Sequence, residues 1–233
     1  MYSLLFCSFY CKYLQSSETE LVDIYDKQAG RGVCGRMLDV LKRNGYQTGA
    51  TSISGAAQIL TSSDVSPSFV NAFSPNKYNS IPWAEPLKDH VTALSGETSL
   101  TSGLHGETWA DLLTRSLGEN EILYDILTNT TLNNTFPSTK LGDQFKSIAK
   151  LIQKKDARGT NRDIFYARDF TYDFHSQLLA NLDTKTTEID EALNAFSLEM
   201  KNISAWKNVT IVFVSEFART LLANTGDGSD HAW

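Results

Sequence analysis

A run of six apolar or β-branched residues near the carboxyl end, Val209–Val214, leaves few folds open to this chain of 233 residues. A strand without polar alternation is typical of a parallel sheet that helices cover on both faces. Upstream, residues 163–170 are aromatic and β-prone, and residues 178–200 place apolar side chains on one helical face. This order predicts an α/β fold with a mainly parallel sheet, which binds ligands beyond the carboxyl ends of its strands.

Weaker patterns outline the middle of the chain. Residues 47–53 predict a strand, and the proline-rich residues 61–86 predict a long surface loop. From Glu107 onward the apolar spacing predicts helices, with an interruption near Gly118. An amphipathic helix is predicted where apolar residues step by four, three and four, at Leu141, Phe145, Ile148 and Ile152.

The amino end is the least defined part of the sequence. Residues 2–11 form a short apolar run that fits either a core strand or a poor signal peptide. Residues 21–25 alternate well enough for a short strand or an extended arm. We therefore separate an N-terminal segment of undefined structure, residues 1–20, from a partial α/β domain, residues 21–233.

The composition narrows the classes of function. The formal net charge is -6, which argues against a sequence-independent grip on nucleic acid, because such a grip needs clustered lysine and arginine. No apolar run reaches the roughly 18 residues of a membrane-spanning helix, so we expect no transmembrane segment. The cysteines, Cys7, Cys11 and Cys34, are too few and too oddly spaced for a disulfide framework, and we expect buried thiols.

Three glycines, Gly30, Gly32 and Gly35, match the spacing of a dinucleotide-binding loop before a helix. In such a loop the backbone approaches a pyrophosphate at the helix amino terminus. The acid expected roughly 20 residues further on is missing, since residues 47–60 contain no Asp or Glu. A nucleotide site is therefore the less favoured alternative to a plain approach to a helix.

Two short segments near the carboxyl end each combine an acid with a histidine. Asp173 and His175 follow the β-prone run, and Asp230 and His231 lie in the loop after the apolar strand. If both strands belong to one parallel sheet, the four side chains project from the same edge and converge. Carboxylate and imidazole ligands suit a divalent cation such as Zn²⁺. The alternative is that Asp173 caps a helix and that the later pair lies in a solvated turn.

A charged pair, Glu216 and Arg219, lies between the apolar strand and the second Asp-His segment. At the end of a strand that faces a metal, these residues would orient ligands, or Arg219 would hold an oxyanion during catalysis. The alternative is a local ion pair, which contributes little when it is exposed.

The block from Val214 to Thr220, followed by Asn224 and then by Gly228–Trp233, resembles the signature of an uncharacterised protein family. This family, domain of unknown function 1501, belongs to the alkaline-phosphatase and sulfatase-like superfamily. Residues 173–176 resemble its upstream D-T-H-S motif, and residues 32–37 resemble its G-W-L-G-R motif.

The resemblance implies a three-layer α/β/α sandwich of the alkaline-phosphatase type and, in many members, export to the periplasm or the cell exterior. It implies metal binding by four residues, Asp173, His175, Asp230 and His231. Two departures stand out, since we find no segment with a metal-binding acid and a nucleophile before Leu21, and no histidine downstream of the Asp-His pair. The resemblance therefore implies a fragment of a domain.

Two functions remain open at this point. The first is a metal-dependent phosphatase- or sulfatase-like hydrolase domain, incomplete as given, whose substrate would be a small phosphate or sulfate ester. The second is a non-catalytic secreted or surface module on the same scaffold. An incomplete parallel sheet has an open edge, so in either case we expect the isolated chain to aggregate.

Overall fold

The computed structural model of the chain describes residues 2–10, 30–71, 85–96, 103–215 and 218–232. The chain divides into two compact units, one formed by Met1–Phe73 and Thr131–Trp233 and the other by Ser74–Thr130. Within the described residues, the first unit contains five strands and three α-helices, and the second contains two α-helices. The candidate site lies in the first unit.

The first unit is built on a parallel sheet. Its strands are β1 (Tyr2–Tyr10), β2 (Thr48–Ser52), β3 (Ser68–Phe69), β4 (Arg162–Phe170) and β5 (Val209–Ser215). Every neighbouring pair is parallel, and the order across the sheet is β3-β2-β4-β1-β5. The α/β class and the parallel sheet that the sequence predicts are confirmed, as are the strands predicted at residues 47–53 and 163–170.

The apolar run at the amino end forms the strand between β4 and β5. β1 pairs with β4 along its whole length and with β5 from Ser3 to Phe9. Of the two interpretations of residues 2–11, the core strand is therefore the one found for residues 2–10. The rest of the N-terminal segment, and the strand predicted at residues 21–25, lie outside the described residues.

The helices of the first unit are α1 (Val33–Arg43), α4 (Lys140–Gln153) and α5 (Leu178–Asn202); those of the second are α2 (Glu85–Gly96) and α3 (Leu104–Asn129). α4 confirms the predicted amphipathic helix, because its four periodic residues expose at most 3% of their surface. Thr139 caps its start by accepting a hydrogen bond from the Gly142 amide at 3.1 Å. The Phe145 ring packs on Phe196 of α5, with centroids 5.3 Å apart.

Three predictions about local structure need correction. The strand at Val209–Val214 exists, but as β5 it lies at the end of the described sheet with a partner on one side, so its side chains are only partly buried. The long loop predicted for residues 61–86 contains β3 and the start of α2, where Pro86 occupies the first turn, in which a missing amide costs little. Residues 72–84 of that loop lie outside the described residues. α3 runs through Gly118 without a break.

Two expectations from the composition, on the cysteines and on membrane-spanning helices, can be compared with the described residues. Cys34 is fully buried, as expected, whereas Cys11 and the side chain of Cys7 lie outside the described part. None of the helices in the described ranges has the length and apolar character that crossing a bilayer requires.

Candidate metal centre

The candidate centre is built on two loops at one edge of the sheet. β4 ends at Phe170 and leads into residues 171–177, and β5 ends at Ser215, with residues 218–232 described beyond it. Because both strands run parallel to β1, their carboxyl ends open at the same edge. The topology therefore places the two Asp-His segments side by side.

Backbone contacts join the two loops. Ser176 and Asp227 form an antiparallel bridge, and the Leu178 amide donates to the Asp227 carbonyl at 2.9 Å. Gly228 passes so close to His175 that a Cβ at position 228 would lie 2.0 Å from the His175 carbonyl carbon. Glycine at position 228 is therefore a structural requirement of the centre.

Three of the predicted ligands, Asp173, His175 and His231, lie together. Nε2 of His231 is 2.8 Å from Oδ1 of Asp173, and Nε2 of His175 is 3.0 Å from the same oxygen. One ligand atom from each residue lies within 4.8 Å of the others, and the two imidazole rings stack with centroids 5.2 Å apart. The side chains of Asp173, His175 and His231 are 27%, 51% and 42% exposed, so a small ion can reach them from solvent.

Asp230, the fourth predicted ligand, stands outside this trio. Its Oδ1 is 3.2 Å from Nδ1 of His175, the ring nitrogen that does not face Asp173. The pKa of the Asp230 carboxyl lies below its usual value. The largest cause is the hydrogen bond with Asn224, and the next is the hydrogen bond with His175. A carboxylate at Nδ1 orients the His175 ring and favours the tautomer in which Nε2 is free to bind a cation.

Asn224 is a residue of this centre that the search for ligands missed. Its side-chain oxygen accepts hydrogen bonds from the amides of Gly226 and Gly228, both at 3.0 Å. Its side-chain nitrogen donates to the His175 carbonyl and to Oδ1 of Asp230, both at 3.1 Å. The sequence offered one signal for this role. Asn224 belongs to the block that resembles the family signature, and an asparagine in a glycine-rich loop commonly hydrogen-bonds to the backbone.

Arg219 faces the trio from its partly buried position. One guanidinium nitrogen, Nη2, donates to Oδ1 of Asp173, and the other, Nη1, donates to the carbonyl oxygens of Phe174 and Ser229. Arg219 therefore bridges the Asp173 loop and the Asp230 loop. Glu216, the second residue of the predicted charged pair, lies outside the described residues.

The glycine-rich segment has a packing role. A Cβ at Gly32 would lie 2.2 Å from the Ile59 carbonyl oxygen, and a Cβ at Gly35 would lie 1.8 Å from that of Thr61. The Gly32 amide donates to the Thr61 carbonyl at 3.0 Å. The close approach of the backbone at residues 59–61 therefore explains both glycines without a bound nucleotide.

Comparison with known proteins relates one part of the chain to a family. No curated protein and no solved structure matches it. Residues 152–233, which carry β4, α5, β5 and the described side chains of the candidate centre, match the family model described as "Protein of unknown function (DUF1501)".

Proposed function

We propose that the chain carries the divalent-metal centre of a phosphatase- or sulfatase-like hydrolase domain, of which this sequence is a fragment. The observation that carries the proposal is the convergence of Asp173, His175 and His231, each of which offers one ligand atom within 4.8 Å of the others. Asp173 and His231 come from two different loops and are 58 residues apart in sequence, and one carboxylate with two imidazoles is a donor set typical of zinc enzymes.

The separations of the donor atoms fit a cation of this kind. Around tetrahedral Zn²⁺, with bonds of about 2.0–2.1 Å, neighbouring ligand atoms lie about 3.3 Å apart. The Asp173 oxygen is 2.8 Å from the His231 nitrogen and 3.0 Å from the His175 nitrogen. These two separations would widen by only a few tenths of an ångström around a zinc ion.

The electrostatics also favour a cation at this position. His175 lies between two carboxylates, with Nε2 toward Asp173 and Nδ1 toward Asp230. A neutral imidazole carries only one N–H, so one of these contacts needs a second proton or a metal ion. A cation bound by Asp173, His175 and His231 would leave Nδ1 to donate to Asp230.

A bound divalent ion would polarise an ester oxygen or supply hydroxide near neutral pH. The residues of the chain have separate roles. Asp230 orients His175, Asn224 holds Asp230, and Arg219 neutralises Asp173 and offers a guanidinium to a phosphate or sulfate group. The preferred substrate class is therefore a small anionic ester.

The finer assignment of the fold belongs to the same proposal. A three-layer alkaline-phosphatase-like sandwich is supported by the parallel sheet and by the resemblance of the two Asp-His segments to the motifs of that superfamily. The same resemblance supports export to the periplasm or the cell exterior. The nucleophile would come from outside the part of the chain described.

A non-catalytic module is the second candidate, and one contact favours it. Because Arg219 already pairs with the Asp173 carboxylate, the cluster is satisfied by the protein's own cation and holds two loops together without a metal. In that case the centre would be a structural clasp on an inherited scaffold.

Zinc titration of the purified, metal-stripped chain tests the proposal. We expect one equivalent of zinc to bind, a loss of affinity of more than 100-fold in His231→Ala, and a loss of about 10- to 100-fold in Asp230→Asn, as for residues that orient a ligand. The matched control is His105→Ala, because His105 is an exposed histidine of the second unit.

Three outcomes separate the candidates. Negligible zinc in the wild type, or equal binding in all variants, contradicts a metal centre at this position. Zinc binding with hydrolysis of 4-nitrophenyl phosphate or 4-nitrophenyl sulfate supports the hydrolase. Negligible zinc binding by a folded wild type supports the non-catalytic module, because Arg219 already satisfies the cluster; absence of turnover alone does not, since the nucleophile would come from outside the described residues.

A further inference from the structure

A second concave site opens at the same edge of the sheet, away from the Asp-His loops. Its cavity, of about 450 Å³, lies where β2 and β3 end and where α4 begins. Its main lining side chains are Ile53, Ser54, Phe69, Val70, Lys140 and Gln144. The crevice beyond the carboxyl ends of parallel strands is where α/β proteins bind ligands, and the volume suits a small organic molecule.

The polar floor of the cavity is held in place by its own hydrogen bonds. The Ser54 hydroxyl donates to the Gln144 amide oxygen at 2.5 Å, and the Gln144 amide nitrogen donates to the Arg168 carbonyl at 3.0 Å. The Arg168 amide donates to the Ser54 oxygen at 2.9 Å. Because these groups already have partners, the charged side chain left to select a ligand in this lining is Lys140.

The charge of Lys140 does not help to stabilise the helix that begins with this residue. It is the first residue of α4, where a positive charge opposes the helix dipole. Within the described residues it makes no ion pair; its ammonium lies 3.8 Å from the centroid of the Phe170 ring. An anion in the cavity would meet both this ammonium and the amino-terminal end of α4.

Further positive charge surrounds the same place. The Arg168 guanidinium lies 4.6 Å from the centroid of the Phe170 ring that Lys140 contacts. Burial lowers the pKa of Lys140; Asp169 acts against this shift, whereas the positive charges of Arg168 and Lys185 add to it. Lys185 is paired with Asp169 and Glu188. The positive charge suited to an anion therefore comes from Lys140 and Arg168, which both lie over the Phe170 ring.

Several lining residues of the cavity are apolar. Phe69 is 54% exposed although it is a large aromatic residue, and Ile53 and Val70 lie beside it in the lining. Covering such a ring with an apolar ligand group removes it from water and gains free energy.

We infer that this cavity binds a small organic anion, with its carboxylate or phosphate at Lys140 and its apolar part against Ile53, Phe69 and Val70. The site is separate from the candidate metal centre and does not rest on the proposed function.

Calorimetric titration in the presence of a chelator, with benzoate and phenyl phosphate as probes and benzyl alcohol as the uncharged analogue, tests the inference. We expect both anions to bind the wild type, the stronger one identifying the preferred head group, and the alcohol to bind at least about tenfold more weakly. Lys140→Met should lower the affinity for the anions about tenfold, and Phe69→Ala should lower it as well. The control is Lys146→Met, because Lys146 is exposed on the same helix outside the cavity lining.

Retained folding of each variant is checked by circular dichroism, and Phe69→Leu replaces Phe69→Ala if the latter unfolds. No saturable binding of either anion to the wild type overturns the inference, as does equal binding by Lys140→Met. Binding that survives Lys140→Met but is lost in Arg219→Gln also overturns it, because the anion would then sit at the Asp-His loops, where Arg219 is the cation. Binding that survives Arg219→Gln supports the inference even if the zinc titration fails.

Discussion

The Asn224 side chain makes four hydrogen bonds because a carboxamide has both a donor nitrogen and an acceptor oxygen. Its oxygen serves two loop amides, and its nitrogen serves a carbonyl and the Asp230 carboxylate. An aspartate has the same shape, but it would place a negatively charged oxygen, in place of an N–H donor, against the His175 carbonyl and the Asp230 carboxylate. The residue therefore fixes the geometry of Asp230, and through Asp230 the orientation of the His175 ring, and it also holds the His175 backbone carbonyl.

Asp39 on α1 plays a comparable part for the turn at Ser62–Asp64. Its carboxylate accepts from the Ser62 hydroxyl and from the amides of Ser63 and Asp64, the last at 2.9 Å, and Arg31 lies 3.6 Å away. Burial acts to raise the pKa of Asp39, but the hydrogen bonds and Arg31 together outweigh it, so the pKa lies below its usual value of 3.8. The turn is therefore tied to an ionised carboxylate.

We predict that Asp39→Asn lowers the free energy of unfolding by about 1–3 kcal/mol at pH 7, because buried donors lose a charged acceptor. Since the pKa of Asp39 is lower in the folded than in the unfolded chain, the carboxylate's contribution is complete above the unfolded pKa and is lost as pH falls through the folded one. The difference from the wild type should therefore narrow between pH 5 and pH 3. Urea unfolding at pH 7, 5 and 3.5 measures it.

The matched control for this prediction is Asp183→Asn, since Asp183 is an exposed aspartate on α5. It should change stability by less than about 0.5 kcal/mol, as surface substitutions usually do. An unchanged difference between wild type and Asp39→Asn at all three pH values would contradict the proposed role of the ionised carboxylate.

At the scale of helices and strands, the spacing of apolar residues predicts the type of an element better than its position among the neighbouring elements. The spacing of Leu141, Phe145, Ile148 and Ile152 sufficed for α4, because one buried face determines that pattern. The run Val209–Val214 predicted a strand, but its place in the sheet depends on which strands pair beside it, and a local pattern carries no such information. Gly118 predicted an interruption because glycine is costly in helices, yet that cost is small against a helix of 26 residues.

Gly118 and Gly142, which both lie in helices, separate the entropic cost of a helical glycine from its role in close packing. A Cβ at Gly118 in α3 would meet no atom within 4 Å, whereas a Cβ at Gly142 in α4 would lie 2.1 Å from the Pro137 carbonyl oxygen. We predict that Gly118→Ala raises the free energy of unfolding by about 0.5–1 kcal/mol, because alanine loses less backbone entropy. Gly142→Ala should lower it by about 1–3 kcal/mol through overpacking. Thermal unfolding followed by far-UV circular dichroism compares the two, and shifts in the same direction would contradict this account.

At the scale of the whole molecule, parallel topology made part of the candidate centre predictable. Placing two Asp-His segments after two parallel strands led to Asp173, His175 and His231, whose atoms do lie together. The relation of Asp230 to His175 and the role of Asn224 depend on how two loops cross, through contacts such as Gly228 on His175. Such contacts are set by three-dimensional packing between residues far apart in sequence, and no spacing rule anticipates them.

The outer strand of the described sheet differs from the one that the sequence suggests. An open edge was expected where an N-terminal strand would be lacking, but β1 fills the place between β4 and β5, and β5 ends the described sheet. β5 reads Val-Thr-Ile-Val-Phe-Val-Ser, without a charge or a proline, and its side chains are half-buried or exposed. Edge strands of that composition lack the features that usually prevent strands of two molecules from pairing.

We therefore predict that the isolated chain self-associates through β5, with a second copy adding its own β5 to the sheet. Thr210→Lys places a charge at an exposed position of this strand and should shift the sample toward monomer, because a desolvated lysine opposes edge-to-edge pairing. Thr184→Lys, on the exposed surface of α5, adds the same charge elsewhere and should leave association unchanged. Sedimentation velocity across a range of concentrations measures the effect. A wild-type chain that stays monomeric and melts cooperatively at every concentration, or an equal response to both lysines, would rule out β5 as the associating edge.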